Sequence, residues 1–175
     1  ATIDNDATYT EVRFLAKVHS ATKLDRFRAG CLKGIDYLLA AQYPNGGWPQ
    51  CYPNLADYGG HITFNDDAMI GVMRVLREIA EGRAPFAFVD EARRGKAKTA
   101  FQKGVDCILR CQIVVQGRPT AWCQQHDAKT LEPKGARIYE KPSISSAESV
   151  GVIRFLMSID PPGPTVVQAV QAAVA

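Results

Sequence analysis

Apolar residues recur at three- and four-residue spacing in six stretches of this chain, which predicts helices over about 5–19, 25–42, 65–81, 90–112, 144–158 and 164–175. The β-branched run Ile113 to Val115 and the stretch Phe86 to Val89 are too short to build a sheet. An all-α fold is therefore expected. Three of the helix starts superpose by their apolar ends: Asp4–Leu15 (DNDATYTEVRFL), Asn65–Leu76 (NDDAMIGVMRVL) and Ser145–Leu156 (SSAESVGVIRFL). The overlay brings Asn5, Asp66 and Ser146 together, and likewise Arg13, Arg74 and Arg154. Each segment opens on Asp, Asn or Ser, residues that accept the free N–H groups of a first helical turn.

A second repeat lies between these starts, Lys33–Gln42 (KGIDYLLAAQ) against Lys103–Gln112 (KGVDCILRCQ). Each copy is an amphipathic helix followed by a Gly- and Pro-containing loop with one tryptophan, Trp48 or Trp122. The order helix, helix, loop thus repeats. One helical hairpin cannot bury its apolar faces alone, so repeated hairpins are expected to curve into a solenoid or a closed toroid. The first helix of each pair would line the inner wall and share one rim with the polar loops.

Composition narrows the function classes. The 175 residues are 46% hydrophobic, enough for one core and one domain. A net charge of +3 with interspersed signs is a poor footprint for nucleic acid but suits an anionic polymer. No stretch has the apolar length of a membrane span. The chain lacks an initiator Met and a signal peptide and ends within the Ala-rich run Val166 to Ala175, so a fragment, with leader and C-terminal region missing, is the expectation. Cys107, Cys111, Cys123 and His126 superficially resemble a zinc-ligand series, yet the first two fall inside a helical run, where Cys usually acts as a small buried hydrophobe.

The stretch from Thr120 to Glu148 carries the densest chemistry: Trp122, Gln124, Gln125, His126, Asp127, Glu132, Lys134, Arg137, Tyr139, Glu140 and Lys141. It has no helical or strand period and reads as irregular backbone, and long loops of this kind inside compact domains tend to be functional. With Asp4, Asn5, Asp66 and Asp67 on the same rim, it would form a cleft for something anionic and hydroxylated. Capping is the alternative role for Asp4, Asp66 and Asp67. His126 titrates in the range a general base needs, and an orienting role with Asp127 as partner is its alternative. Trp48 and Trp122 are open to two roles, stacking on sugar rings or anchoring their loops in the core.

The blocks Gln42–Gln50 (QYPNGGWPQ), Ile62–Met69 (ITFNDDAM), Thr120–Asp127 (TAWCQQHD), Thr130–Lys134 (TLEPK), Ala136–Glu140 (ARIYE) and Ser145–Val150 (SSAESV) resemble the catalytic module of the pectate lyases of polysaccharide lyase family ten. The resemblance runs from about Thr2 to about Leu156. It implies an (α/α) toroid, secretion, a monomer, and cleavage of polygalacturonate by calcium-assisted β-elimination without nucleic acid or membrane partners. By residue match it implies that Asp66 binds Ca²⁺ and that Arg137 is the catalytic base, with Asp4, Asn5, Asn65, His126, Asp127 and Tyr139 facing substrate. In a secreted enzyme a single disulfide, Cys51 to Cys123, is expected. Asp6 stands where many relatives carry Gly.

Arginine is an awkward base because its guanidinium scarcely deprotonates. Clamping the uronate carboxylate is the alternative role for Arg137, leaving Tyr139 or Lys134 as the base. Two other functions compete: a non-catalytic pectin-binding module with the same cleft, and a helical-toroid isoprenoid cyclase. The latter would want a third Asp at DDxxD spacing after Asp66 and Asp67, which the sequence does not have.

Overall fold

A computed structural model describes residues 1–175. Six helices appear in order: α1 (Tyr9–Thr22), α2 (Asp25–Ala40), α3 (Ala68–Ala80), α4 (Glu91–Arg110), α5 (Ser146–Met157) and α6 (Pro164–Val174). They pack as three antiparallel pairs, α1 with α2, α3 with α4, and α5 with α6. The first members also pack side by side, α1 on α3 and α3 on α5, while α2 touches α4 and α4 touches α6. This makes two helical layers. Helix α3, central in the first, has nine buried residues, from Ala68 to Ile79. Its apolar face is nearly continuous because neighbours cover it on several sides. Tyr9 lies so close to α3 that a Cβ on Gly71 would fall 2.2 Å from its ring, which fixes where α1 begins.

Three of the predicted helices, α2, α4 and α6, start within a residue of expectation, and Asp90 Oδ1 accepts the backbone N–H of Arg93 at the start of α4. The first helix starts later than the period suggested. Asn5, Asp6 and Thr8 have φ of 53°, 59° and 62°, so the chain turns tightly before Tyr9. Glu11 then reaches back to the backbone N–H of Thr8 at 3.0 Å. The third helix is likewise shortened, with a turn of 3₁₀ helix at Asn65–Asp67 ahead of it.

The polar loop is more ordered than its sequence implies. Strands β1 (Ile62–Thr63), β4 (Gln125–His126) and β5 (Pro133–Lys134) form a small antiparallel sheet in the order β1-β4-β5. Ile62 pairs with His126, and Gln125 with Lys134. A hairpin joins β2 (Val114–Val115) to β3 (Arg118–Pro119). All five cysteines are free, which overturns the expected Cys51–Cys123 disulfide. Cys123 is buried and directs its thiol toward the Lys134 carbonyl, 3.6 Å away.

Candidate active site

Two of the acids sit in left-handed backbone, and neither caps a helix through its side chain. Asp66 and Asp67 have φ of 50° and 55°, a conformation that most side chains avoid and that Asn and Asp tolerate best. Such outliers concentrate where function holds them. Asp67 precedes α3 but accepts none of its N–H groups; its carboxylate pairs with Arg74 at 3.1 Å. Asp66 accepts the Asn65 side-chain amide at 2.6 Å. Asp4 takes two amides on Oδ2, from Asn5 at 3.1 Å and from Gln50. Its buried Oδ1 has no partner. The capping alternative for Asp4 and Asp66 therefore gives way to carboxylates held by neutral amides, which orient them without cancelling their charge.

These groups line a cleft of about 250 Å³. Asp4, Asn5, Asn65 and Asp66 form one wall, Gln124, Gln125, Arg137 and Glu140 come from the loop after α4, and Gln50 and Tyr58 complete it. The predicted residues Asp4, Asn5, Asn65, Asp66 and Arg137 are thus brought together. Burial raises the Asp66 carboxyl above its ordinary range, and the charges of Asp4 and Glu148 add to the shift. Arg137 behaves oppositely. Its guanidinium bonds the Glu140 carboxylate and its backbone N–H donates to the same group at 3.0 Å. The Glu140 pair pushes the guanidinium further up, so it is charged as it stands.

Three expected substrate contacts lie elsewhere. His126 is wholly buried; its Nδ1 meets the Leu131 carbonyl at 2.8 Å and its Nε2 accepts the Cys123 N–H at 3.2 Å. Both ring nitrogens are used, burial lowers its pKa, and it is a neutral strut under the loop and no general base in this arrangement. Asp127 accepts the backbone N–H groups of Thr130 and Lys129 at 2.9 and 2.8 Å, which hold its carboxyl below the usual range. Lys134 pairs with it at 3.7 Å instead of facing the cleft. Tyr139 is 69% exposed, with the Arg137 guanidinium 5.2 Å from its ring centre. The sequence marks Gln124, Gln125 and Glu140 only as part of the polar loop, without a role, and does not point to Gln50 and Tyr58 as lining groups. Of these, all but Tyr58 lie within matched blocks.

The two tryptophans are loop anchors. Each is fully buried, and its indole N–H donates 2.8 Å to a helix carbonyl, Trp48 to Leu38 and Trp122 to Ile108. Neither reaches the cleft.

Comparison with known proteins places this arrangement. The family model described as pectic acid lyase matches residues 1–175. A solved structure of a family 10 polysaccharide lyase from Cellvibrio cellulosa superposes with a TM-score of 0.95 at 43% identity, covering 99% of this chain and 54% of that one. An aspartate-to-alanine mutant of the family 10 lyase from that organism, in complex with trigalacturonic acid, matches with a TM-score of 0.95 and 42% identity, over 99% of this chain and 55% of that one. The chain thus spans about half the length of these structures. No curated protein matches the sequence. With its full length matched and its acids and arginine gathered in one cleft, the chain belongs to the pectic acid lyase family.

Proposed function

We propose that the protein containing this chain is a secreted, monomeric pectate lyase that binds polygalacturonate across this cleft and cleaves it by calcium-dependent β-elimination. The three hairpins would form part of an (α/α) toroid, the layering of α1, α3 and α5 supporting that reading. The observation that carries the function is the gathering of Asp4, Asp66 and Arg137 in one cleft, within a chain 42% identical to a lyase seen with trigalacturonic acid.

Calcium takes six to eight oxygen ligands. Asp4 and Asp66 fit such an ion: Asp4 Oδ1 is buried without a partner, and the charge of Asp4 reaches Asp66, adding to the rise that burial gives its carboxyl. Two carboxylates fall short of a full set, and no cluster of three metal-ligating side chains is present. Uronate carboxylate and water oxygens would complete the shell, making binding of ion and substrate mutually dependent. When bound, the ion stabilises negative charge on the uronate carboxylate as the C5 proton leaves.

The residues of the chain divide the remaining work. Asp4 and Asp66 would hold the ion, while Asn5 and Asn65 keep those acids in place. Arg137 is the catalytic group. The charged form it has here can hold the uronate carboxylate; accepting the C5 proton requires it to leave Glu140 and give up its own proton to solvent first. Elimination then passes the C5 proton to the neutral Arg137 guanidine, breaks the C4–O bond, with the departing oxygen taking a proton from water, and leaves a C4–C5 double bond in the product.

The test is ultraviolet absorbance of the unsaturated product formed by the full-length protein from polygalacturonate, with Ca²⁺ and with chelator. Product that appears only with Ca²⁺ supports the reading. Tight polymer binding without product would identify a binding module instead.

A further inference from the structure

We propose that Gln125 orients the substrate by donating its side-chain N–H groups to a uronate carboxylate in the cleft, and that His61 is the positioning residue that turns the carboxamide that way. The inference rests on the polyuronate reading above. Gln125 is 3% exposed, yet it lines the cleft. Its backbone is held on both sides, paired with Thr63 of β1 and Lys134 of β5. Its Oε1 lies 3.2 Å from His61 Nδ1, so with the proton on Nδ1 the imidazole donates and the NH₂ end faces away from it.

That NH₂ group makes no hydrogen bond within the protein, while the fully buried unpartnered side-chain atoms are only Asp4 Oδ1 and Arg94 Nε. Gln125 Nε2 therefore keeps access to the cleft. Without a ligand that donor is left to water, and a ligand oxygen can take the water's place.

Charge decides which oxygen. Asp4, Asp66 and Glu140 bring three carboxylates to the cleft, against the single guanidinium of Arg137, which Glu140 already engages. The amides of Asn5 and Gln50 donate to Asp4, and that of Asn65 donates to Asp66. Gln125 alone combines a fixed, buried side chain with uncommitted donors, so it can receive an incoming carboxylate without adding a second cation.

The experiment is calorimetric titration of the full-length protein with trigalacturonate in Ca²⁺. Gln125→Met preserves length and removes the donors; its Kd should rise about 10- to 100-fold, the range for a hydrogen bond to a charged group. Gln125→Glu should bind more weakly still, carboxylate facing carboxylate. His61→Ala should weaken binding about threefold to tenfold, and His61→Asn, whose amide donor replaces Nδ1–H, should restore most of it. Gln125→Met that binds like wild type overturns the proposal, and Gln125→Glu that binds better than Gln125→Met assigns the donor to a hydroxyl and overturns it too. His61→Asn no better than His61→Ala removes His61 from the positioning role. If the Gln125 variants fail to fold, the His61 pair carries the decision. Wild-type protein that binds no trigalacturonate refutes the polyuronate reading along with this one, whereas wild-type binding beside an unaffected Gln125→Met refutes this one alone.

Discussion

The loops that follow α2 and α4 begin alike and end differently. In each, a glutamine ties its own loop to the second helix of the next hairpin: Gln42 donates to Gly46 and, at 2.8 Å, to Ala100 in α4; Gln112 donates to Thr120 and, at 2.8 Å, to Ala169 in α6. Each then plants a tryptophan whose indole donates into the preceding helix. Past those anchors the likeness stops. The first loop runs back along the N-terminus, where the Gln50 carbonyl accepts the Ile3 N–H, and delivers Gln50 and Tyr58. The second adds β4 and β5 and delivers Gln125, Arg137 and Glu140. Repetition therefore marks the scaffold, and its breakdown marks the site. A shared hydrogen-bonding base lets two loops of different chemistry meet over one cleft.

If the tips carry chemistry and the bases carry stability, substitutions at the two levels must separate. The largest effect is expected for Asp66→Ala, a loss of about 100- to 1,000-fold in calcium-dependent turnover, since the ion's contribution to barrier lowering is several kcal/mol. Circular dichroism should show nearly unchanged helix content. An active variant with wild-type calcium dependence would remove Asp66 from the metal site.

Arg137→Ala should lose far more in kcat than in affinity for polygalacturonate if Arg137 acts in the transition state. Equal losses in both would make it a ground-state clamp. At the bases, Trp48→Phe and Trp122→Phe should each lower unfolding free energy by about 1–3 kcal/mol, because each removes a buried hydrogen bond. Denaturant titration checks the pair, and a large loss at one position only would break the equivalence of the two anchors.

The smallest effect concerns acid. His126 is neutral when folded because burial lowers its pKa, so the unfolded chain takes up its proton first as pH falls. Stability from this group is full above the unfolded value of about 6.5 and declines as pH drops below it toward the lower folded value. The melting temperature of wild type should therefore fall over that window more steeply than that of His126→Gln. Parallel curves would show that His126 contributes no linkage.

The helices were legible because their faces repeat every three to four residues and one face is buried. The start of α1 was not, since the positive φ of Asn5, Asp6 and Thr8 depends on the contacts Asp4 makes with Gln50 across the fold. Asp66 and Arg137 could be named from local motifs. The choice between the two roles of His126 could not be made from sequence, because a polar loop gives no sign that its backbone will be sealed into a sheet; only the pairing of Ile62 with His126 does that. The part Gln125 plays was unreadable for the same reason, its side-chain partner His61 lying 64 residues away along the chain.

The most direct measurement is a crystal structure of the full-length protein with trigalacturonate and Ca²⁺. The account predicts an ion about 2.3–2.6 Å from carboxylate oxygens of Asp4 and Asp66 and shared with a uronate carboxylate, with Arg137 across the sugar from it. A sugar bound outside this cleft, or an ion touching neither aspartate, would contradict it.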